Sequence, residues 1–289
     1  MALPIFRHYD REALDREYDN RKKVANSAAL LARGARESET TRGKLECRLD
    51  VDYGPHAGER LDVFPASTGA GQAPVQIFIH GGYWQRLDKS DFSYVARGFT
   101  PAGAITVVIN YALMPSVTLD ELVHQCRAAV AWVHEHAGSF GGDPGRIFVS
   151  GHSAGGHLTA MVMATDWTRF GVPADAVKGG CAISGLYDLE PIRLCYLNDV
   201  LRLTPDDVQH SSPVRLLPPR AGRLLLAVGG LEGPEYHRQT DDLAAAWRRG
   251  GLSVDVLDMA GHDHFTIVDQ LGDPGSELSR AVHRQMGLA

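Results

Sequence analysis

Residues 146–158 read RIFVSGHSAGGHL. An apolar, strand-like run (146–150) leads into Gly151-His152-Ser153-Ala154-Gly155-Gly156, and the helical stretch HLTAMVMA follows at once. A serine between the end of a strand and the start of a helix sits on a sharp turn that lifts its hydroxyl above the sheet. Small residues two positions to either side let strand and helix approach without side-chain collision, which accounts for the GxSxG spacing. The five-residue pattern alone is weak, and the strand before it and helix after it make it informative.

Working outward, strand-like runs occur at 45–53, 60–64, 75–80, 105–110, 146–150, 177–184, 224–228 and 254–257. From the third run onward the connections lengthen and carry helical patterns at 119–137, 154–164, 236–249 and 276–286. Two short hairpin-linked strands followed by β-α alternation describe an α/β protein with an eight-stranded, mostly parallel sheet and helices on both faces. The chain has 289 residues, 44% of them hydrophobic, enough for one large α/β domain spanning residues 1–289. Charge-rich helical spacing at 10–33 marks one or two amphipathic N-terminal helices, so residues 1–40 are read as a helical segment that either braces the fold or caps its pocket. The stretch ASTGAGQAP (66–74) reads as a hairpin loop.

The balance of 29 basic against 35 acidic residues, a net charge of -6, supplies no basic field and argues against nucleic acid as a partner. Neither a secretory signal nor a membrane-length apolar run is read in the sequence. Cys47, Cys126, Cys181 and Cys195 are scattered without a CxxC pair, as expected of reduced thiols in a cytoplasmic protein. His134 and His136, two apart on one helix, face different ways and make no metal pair. No metal and no cofactor is expected. The expected partner is a small-molecule substrate, without a membrane, and a homodimer is compatible with the sequence.

A second chemical motif is His80-Gly81-Gly82-Tyr83-Trp84, after the apolar run VQIFI. Its glycines allow backbone N–H groups to face the space above Ser153, as an oxyanion site requires. The donors read from this pattern are Gly82 or Tyr83, together with Ala154. His80 is taken to shape the loop by hydrogen bonding. Tyr83 and Trp84 either cover the core or wall the pocket against a flat ring, and both are substrate-binding candidates. A serine nucleophile needs a base, and the base needs a carboxylate. Beyond the seventh run lie Glu232 and Glu235, and beyond the eighth lie His262 and His264. The order nucleophile, acid, base is that of an α/β-hydrolase, and Asp188, after the sixth run, is a rival acid.

Beyond these motifs, the chain resembles the kynurenine formamidase (arylformamidase) group of α/β-hydrolases, close to hormone-sensitive-lipase-type esterases. The likeness is carried by LDVFP (61–65), HGGYW (80–84), INYALMP (109–115), residues 140–158, SGLYDLEPI (184–192), PEYHRQ (234–239) and DHF (263–265). The resemblance implies Ser153 as nucleophile, His264 as base and residue 232 as acid. The family pattern usually has Asp there and this chain has Glu232, whose extra methylene still reaches an imidazole. The implied reaction is cleavage of an aryl formamide such as N-formylkynurenine to formate and an aryl amine through an acyl-enzyme. A carboxylesterase acting on short-chain aryl esters shares every one of these residues. A non-catalytic protein that binds a small molecule need not retain them.

Overall fold

The computed structural model describes residues 3–68 and 71–288. Its eight strands are β1 (Arg48–Asp52), β2 (Arg60–Phe64), β3 (Ala73–Ile79), β4 (Ile105–Ile109), β5 (Gly142–His152), β6 (Val177–Ile183), β7 (Arg223–Gly229) and β8 (Val254–Met259). They form one sheet in the order β1-β2-β4-β3-β5-β6-β7-β8. Only β2 runs against its neighbours; every pairing from β4 to β8 is parallel. The eight strands match the expected runs with shifts at their ends. The stretch 66–74 is not a hairpin, however, because β2 pairs with β4 rather than β3, so this connection crosses to the far side of β4. Residues 69 and 70 of that stretch lie outside the described residues.

Three helices precede the sheet: α1 (Arg11–Tyr18), α2 (Asn20–Lys23) and α3 (Ser27–Lys44). The expected one or two are thus three, broken at Asp19, whose side chain accepts from the Lys22 N–H and starts a new helix. The remaining helices are α4 (Ala96–Phe99), α5 (Leu119–His136), α6 (Ala154–Met163), α7 (Glu190–Leu194), α8 (Asn198–Leu201), α9 (Pro205–Ser211), α10 (Pro234–Arg249), α11 (Thr266–Asp269) and α12 (Glu277–Met286). Local chemistry explains where the long ones start. Thr118 caps α5, with Asp120 and Glu121 in the positive first turn, and Ser276 caps α12 in the same way.

The strands divide their side chains between two cores with the period of two that a pleat imposes. Val75, Ile77 and Ile79 of β3 join the cluster that holds Val130 of α5, Leu158 of α6 and Trp247 of α10. The intervening Phe78 joins the opposite cluster with Phe99 of α4 and Val282 of α12. Central strands buried on both faces read as continuous apolar runs, as in ITVVI of β4. Among the described residues, no helix is long and apolar enough to cross a membrane.

The strand order also locates the site. From β3 the chain moves to β4 on one side and then returns to β5 on the other. At such a reversal the loops leaving the carboxyl ends of adjacent strands diverge and open a crevice. His80 follows β3, and Ser153 follows β5.

Candidate active site

Ser153 has φ 59° and ψ -118°, a backbone state that costs a non-glycine residue on the order of 1–3 kcal/mol. Its N–H donates to the Ile183 carbonyl at 2.8 Å, which ties the turn to β6. The surrounding glycines are required by contact distance. A Cβ on Gly151 would lie 2.2 Å from the Gly155 carbonyl oxygen, and one on Gly155 would lie 2.0 Å from that of Ile79. Any side chain at either position collides with backbone, which cannot rotate away.

His264 stands opposite. Its Nε2 accepts from Ser153 Oγ at 3.1 Å, and its Nδ1–H donates to Glu232 Oε2 at 2.6 Å. The other Glu232 oxygen accepts from the Gly229 N–H at 2.8 Å and from the Ser184 hydroxyl. The glutamate side chain is 1% exposed, so these donors replace water around its charge. Asp263 aims the loop: its carboxylate accepts from the N–H groups of Phe265 and Thr266, both at 2.9 Å. The structure thus brings together Ser153, His264 and Glu232 from three loops at one sheet edge. It does not bring in the rivals. Glu235 accepts from the Tyr18 hydroxyl and pairs with Arg238, and Asp188 faces Arg238 and Arg215. His262 contributes main-chain bonds, accepting from Leu231 and donating to Met259.

The turn after β3 closes over the serine. A Cβ on Gly81 would lie 2.8 Å from the His152 carbonyl oxygen and 3.1 Å from Ser153 Cβ. Gly82, Tyr83 and Trp84 all have positive φ, at 111°, 52° and 59°. Nδ1–H of His80 donates to the Gly81 carbonyl at 2.8 Å, and its ring stacks on Tyr111, so this residue shapes the loop as expected. Ala154 is the first residue of α6, so its N–H belongs to the set with no acceptor inside the helix.

One expected site residue is misplaced. Trp84 is fully buried and forms no part of the cavity wall, so it is a core residue and not a substrate contact. Its Nε1–H donates to His157 Nδ1 at 3.2 Å, and His157 Nε2–H donates to the Ser211 carbonyl at 2.7 Å. Burial lowers the His157 pKa to about 4, which keeps Nδ1 free to accept. The left-handed turn explains the reversal: a positive φ at both residues sends Tyr83 toward the N-terminal helices and Trp84 down against α6.

A cavity of about 440 Å³ opens on Ser153 and His264. Tyr83 lines it, and the aromatic and aliphatic side chains of Leu30, Leu31, Phe92, Tyr94 and Phe265 supply apolar wall. Leu30 and Leu31 belong to α3, so the N-terminal segment forms one side of the cavity. His152 also lines it, with its ring centroid 4.7 Å from that of His264. Burial, then the neighbouring imidazole, push the His152 pKa well below the usual histidine value and hold the ring neutral. Sequence reasoning left Asn20, Ser184 and Tyr236 unassigned. Ser184 and Tyr236 lay within motifs that carried the family resemblance, SGLYDLEPI and PEYHRQ, whereas nothing local marks Asn20.

The BD-FAE family model matches residues 61–176. A putative thioesterase from Silicibacter superposes with a TM-score of 0.82 at 28% identity, over 92% of this chain and 97% of its own. The fold and the site define a serine hydrolase of the α/β-hydrolase fold. The kynurenine formamidase of Danio rerio is 34% identical over 255 residues, spanning 86% of this chain and 85% of that protein. That of Salmo salar is also 34% identical, over 256 residues and the same shares. The chain belongs to the kynurenine formamidase family.

Proposed function

We propose that this chain hydrolyses aryl formamides of the N-formylkynurenine type to formate and an aryl amine. The observation that carries this reading is the hydrogen-bonded line Ser153–His264–Glu232 at the mouth of an aromatic-lined cavity, in a chain 34% identical to named kynurenine formamidases. Ser153 Oγ attacks the formyl carbon as His264 Nε2 takes its proton, while Glu232 holds the tautomer and balances the imidazolium charge. The backbone N–H of Ala154 and that of Gly82 or Tyr83 receive the oxyanion, each donor contributing on the order of 3 kcal/mol. His264 then protonates the departing amine. Water, deprotonated by the same nitrogen, attacks the formyl-serine and releases formate. The carboxylate at position 232 is Glu in place of the family's usual Asp, and the 2.6 Å contact supports the same role for it. Four free thiols, three of them buried, accord with a reducing compartment such as the cytoplasm.

The test is a panel on one aryl amine and one aryl alcohol. Rates on the anilide should fall steeply from formyl to acetyl to butyryl, with activated short-chain aryl esters cleaved as a side reaction. Faster turnover of butyryl esters than of formanilide would make the protein a carboxylesterase.

A further inference from the structure

The turn Gly82-Tyr83-Trp84 holds a left-handed backbone at three consecutive residues, only one of them glycine. Such a turn relaxes unless its surroundings fix it. Main-chain bonds alone are few: Gln85 N–H donates to the Gly82 carbonyl, and Met114 N–H to that of Trp84. Trp84 is anchored from below by His157. Tyr83 is anchored from above by residues that the chemistry has not used.

The protons of this upper cluster can be assigned uniquely. The Tyr83 hydroxyl lies 2.7 Å from the Tyr18 carbonyl, which can only accept, so Tyr83 donates there. It must then accept from Asn20 Nδ2 at 3.1 Å and from the Tyr236 hydroxyl at 2.9 Å. The Tyr236 oxygen in turn accepts the second Asn20 amide proton, at 2.6 Å. The cluster closes with each of these protons placed. The N-terminal side of the cluster, at the end of α1, is itself held by α10: Gln239 Nε2 donates to the Tyr18 hydroxyl at 2.8 Å, and that hydroxyl donates to Glu235 at 2.9 Å. Tyr236 also lies against the imidazole, its ring centroid 4.8 Å from that of His264. One side chain therefore touches both the base and the oxyanion turn.

We propose that Asn20 and Tyr236 are positioning residues, which act through the Tyr83 hydroxyl to hold the oxyanion-binding turn in register with Ser153, so that the N-terminal segment is part of the catalytic apparatus. This rests on the acyl-transfer reading above. A purely structural latch at a buried site needs only apolar packing, whereas this one is polar, fully matched, and ends on the turn that carries the proposed oxyanion donors. Loss of one member leaves its partners unmatched, so the members act as a unit.

Tyr83→Phe, Tyr236→Phe, Asn20→Ala and the double Tyr83→Phe/Tyr236→Phe variant test this, with active sites counted by phosphonate titration so that unfolded material is not scored. Each single variant should lose roughly tenfold to a hundredfold in kcat on both formanilide and 4-nitrophenyl acetate, with KM within about threefold. The Ki of an aryl trifluoromethyl ketone, whose adduct carries an oxyanion, should rise by the same factor, and aniline binding should stay unchanged. The double variant should lose little more than the worse single one. The inference is overturned by kcat within twofold of wild type, by equal weakening of ketone and aniline, or by additive losses. Should Tyr236→Phe not fold, Tyr83→Phe and Asn20→Ala give the same decision. A preference for butyryl esters would sink the formamidase reading and leave these ratios readable on the ester.

Discussion

Two strained turns meet beside the cavity; glycine contacts pack both, and only the second is also tied down by a set of side-chain hydrogen bonds. The Ser153 turn is locked by backbone: Gly151 and Gly155 bring main chain to within distances that no Cβ tolerates. The Gly82–Trp84 turn has such a contact at Gly82, whose Cβ would lie 2.1 Å from the Arg86 carbonyl oxygen, but it is also held by hydrogen bonds from the Tyr83 and Trp84 side chains to the Tyr18 carbonyl and to the side chains of Asn20, Tyr236 and His157. A backbone lock is rigid and all-or-none, since no rotamer can relieve a clash with a carbonyl. A side-chain lock can be loosened without a backbone clash, because each hydrogen bond contributes only about 1 kcal/mol to stability and its loss leaves the main chain in place. The nucleophile turn should therefore fail by unfolding and the oxyanion turn by slowing.

The sharpest break is chemical. Ser153→Ala should lower kcat by at least about 10⁴-fold, or some 5 kcal/mol, with an unchanged melting temperature, because alanine suits the turn. His264→Ala should come close to it and His262→Ala should stay within a few-fold, since His262 serves through its backbone. Next, Glu232→Gln should cost roughly 10²- to 10⁴-fold in kcat. If Asp188→Asn proves the more damaging, the acid follows β6 instead. Gly155→Ala tests the backbone lock directly: chemical denaturation should show a loss of about 3 kcal/mol or more, because its Cβ would lie 2.0 Å from the Ile79 carbonyl oxygen.

The smallest effect concerns His157, which sits on α6 and braces Trp84, and so belongs to both turns. Burial lowers its pKa to about 4, below the roughly 6.5 of an unfolded chain. Between those values the unfolded state binds a proton that the folded state refuses, so stability must fall as pH drops from about 6.5 toward 4. The whole descent amounts to about 3 kcal/mol from this group. Melting temperatures at pH 7 and pH 5 should show the loss in the wild type and a flatter slope in His157→Gln.

The same contrast explains what is legible in the sequence. The nucleophile turn was legible because its cause is local: glycines at fixed offsets, a strand before and a helix after. The eight strands and the chain order of Ser153, Glu232 and His264 were legible for the same reason, apolar runs and the loops that end them. The fate of Trp84 was not, because its direction depends on two successive positive φ values and on a histidine 73 residues away. Asn20 carries no local signal, since its partners are 63 and 216 residues distant. The helices α7 to α9 escaped notice because at four to seven residues they are too short to display a hydrophobic period.

The position of α3 along the cavity separates, in this chain, what is accepted from how it reacts. The groups that would break the bond come from loops of the sheet, while Leu30 and Leu31, which bound the space beside them, come from a segment that precedes it. A lineage can therefore retool what it accepts by rewriting its first few dozen residues, leaving the reacting centre untouched. Asn20 limits that freedom: a transplanted segment that omits it brings a new wall and a loosened turn together. Drift in selectivity is accordingly cheap beyond residue 26, where α3 begins, and heavily taxed at residues 18–20.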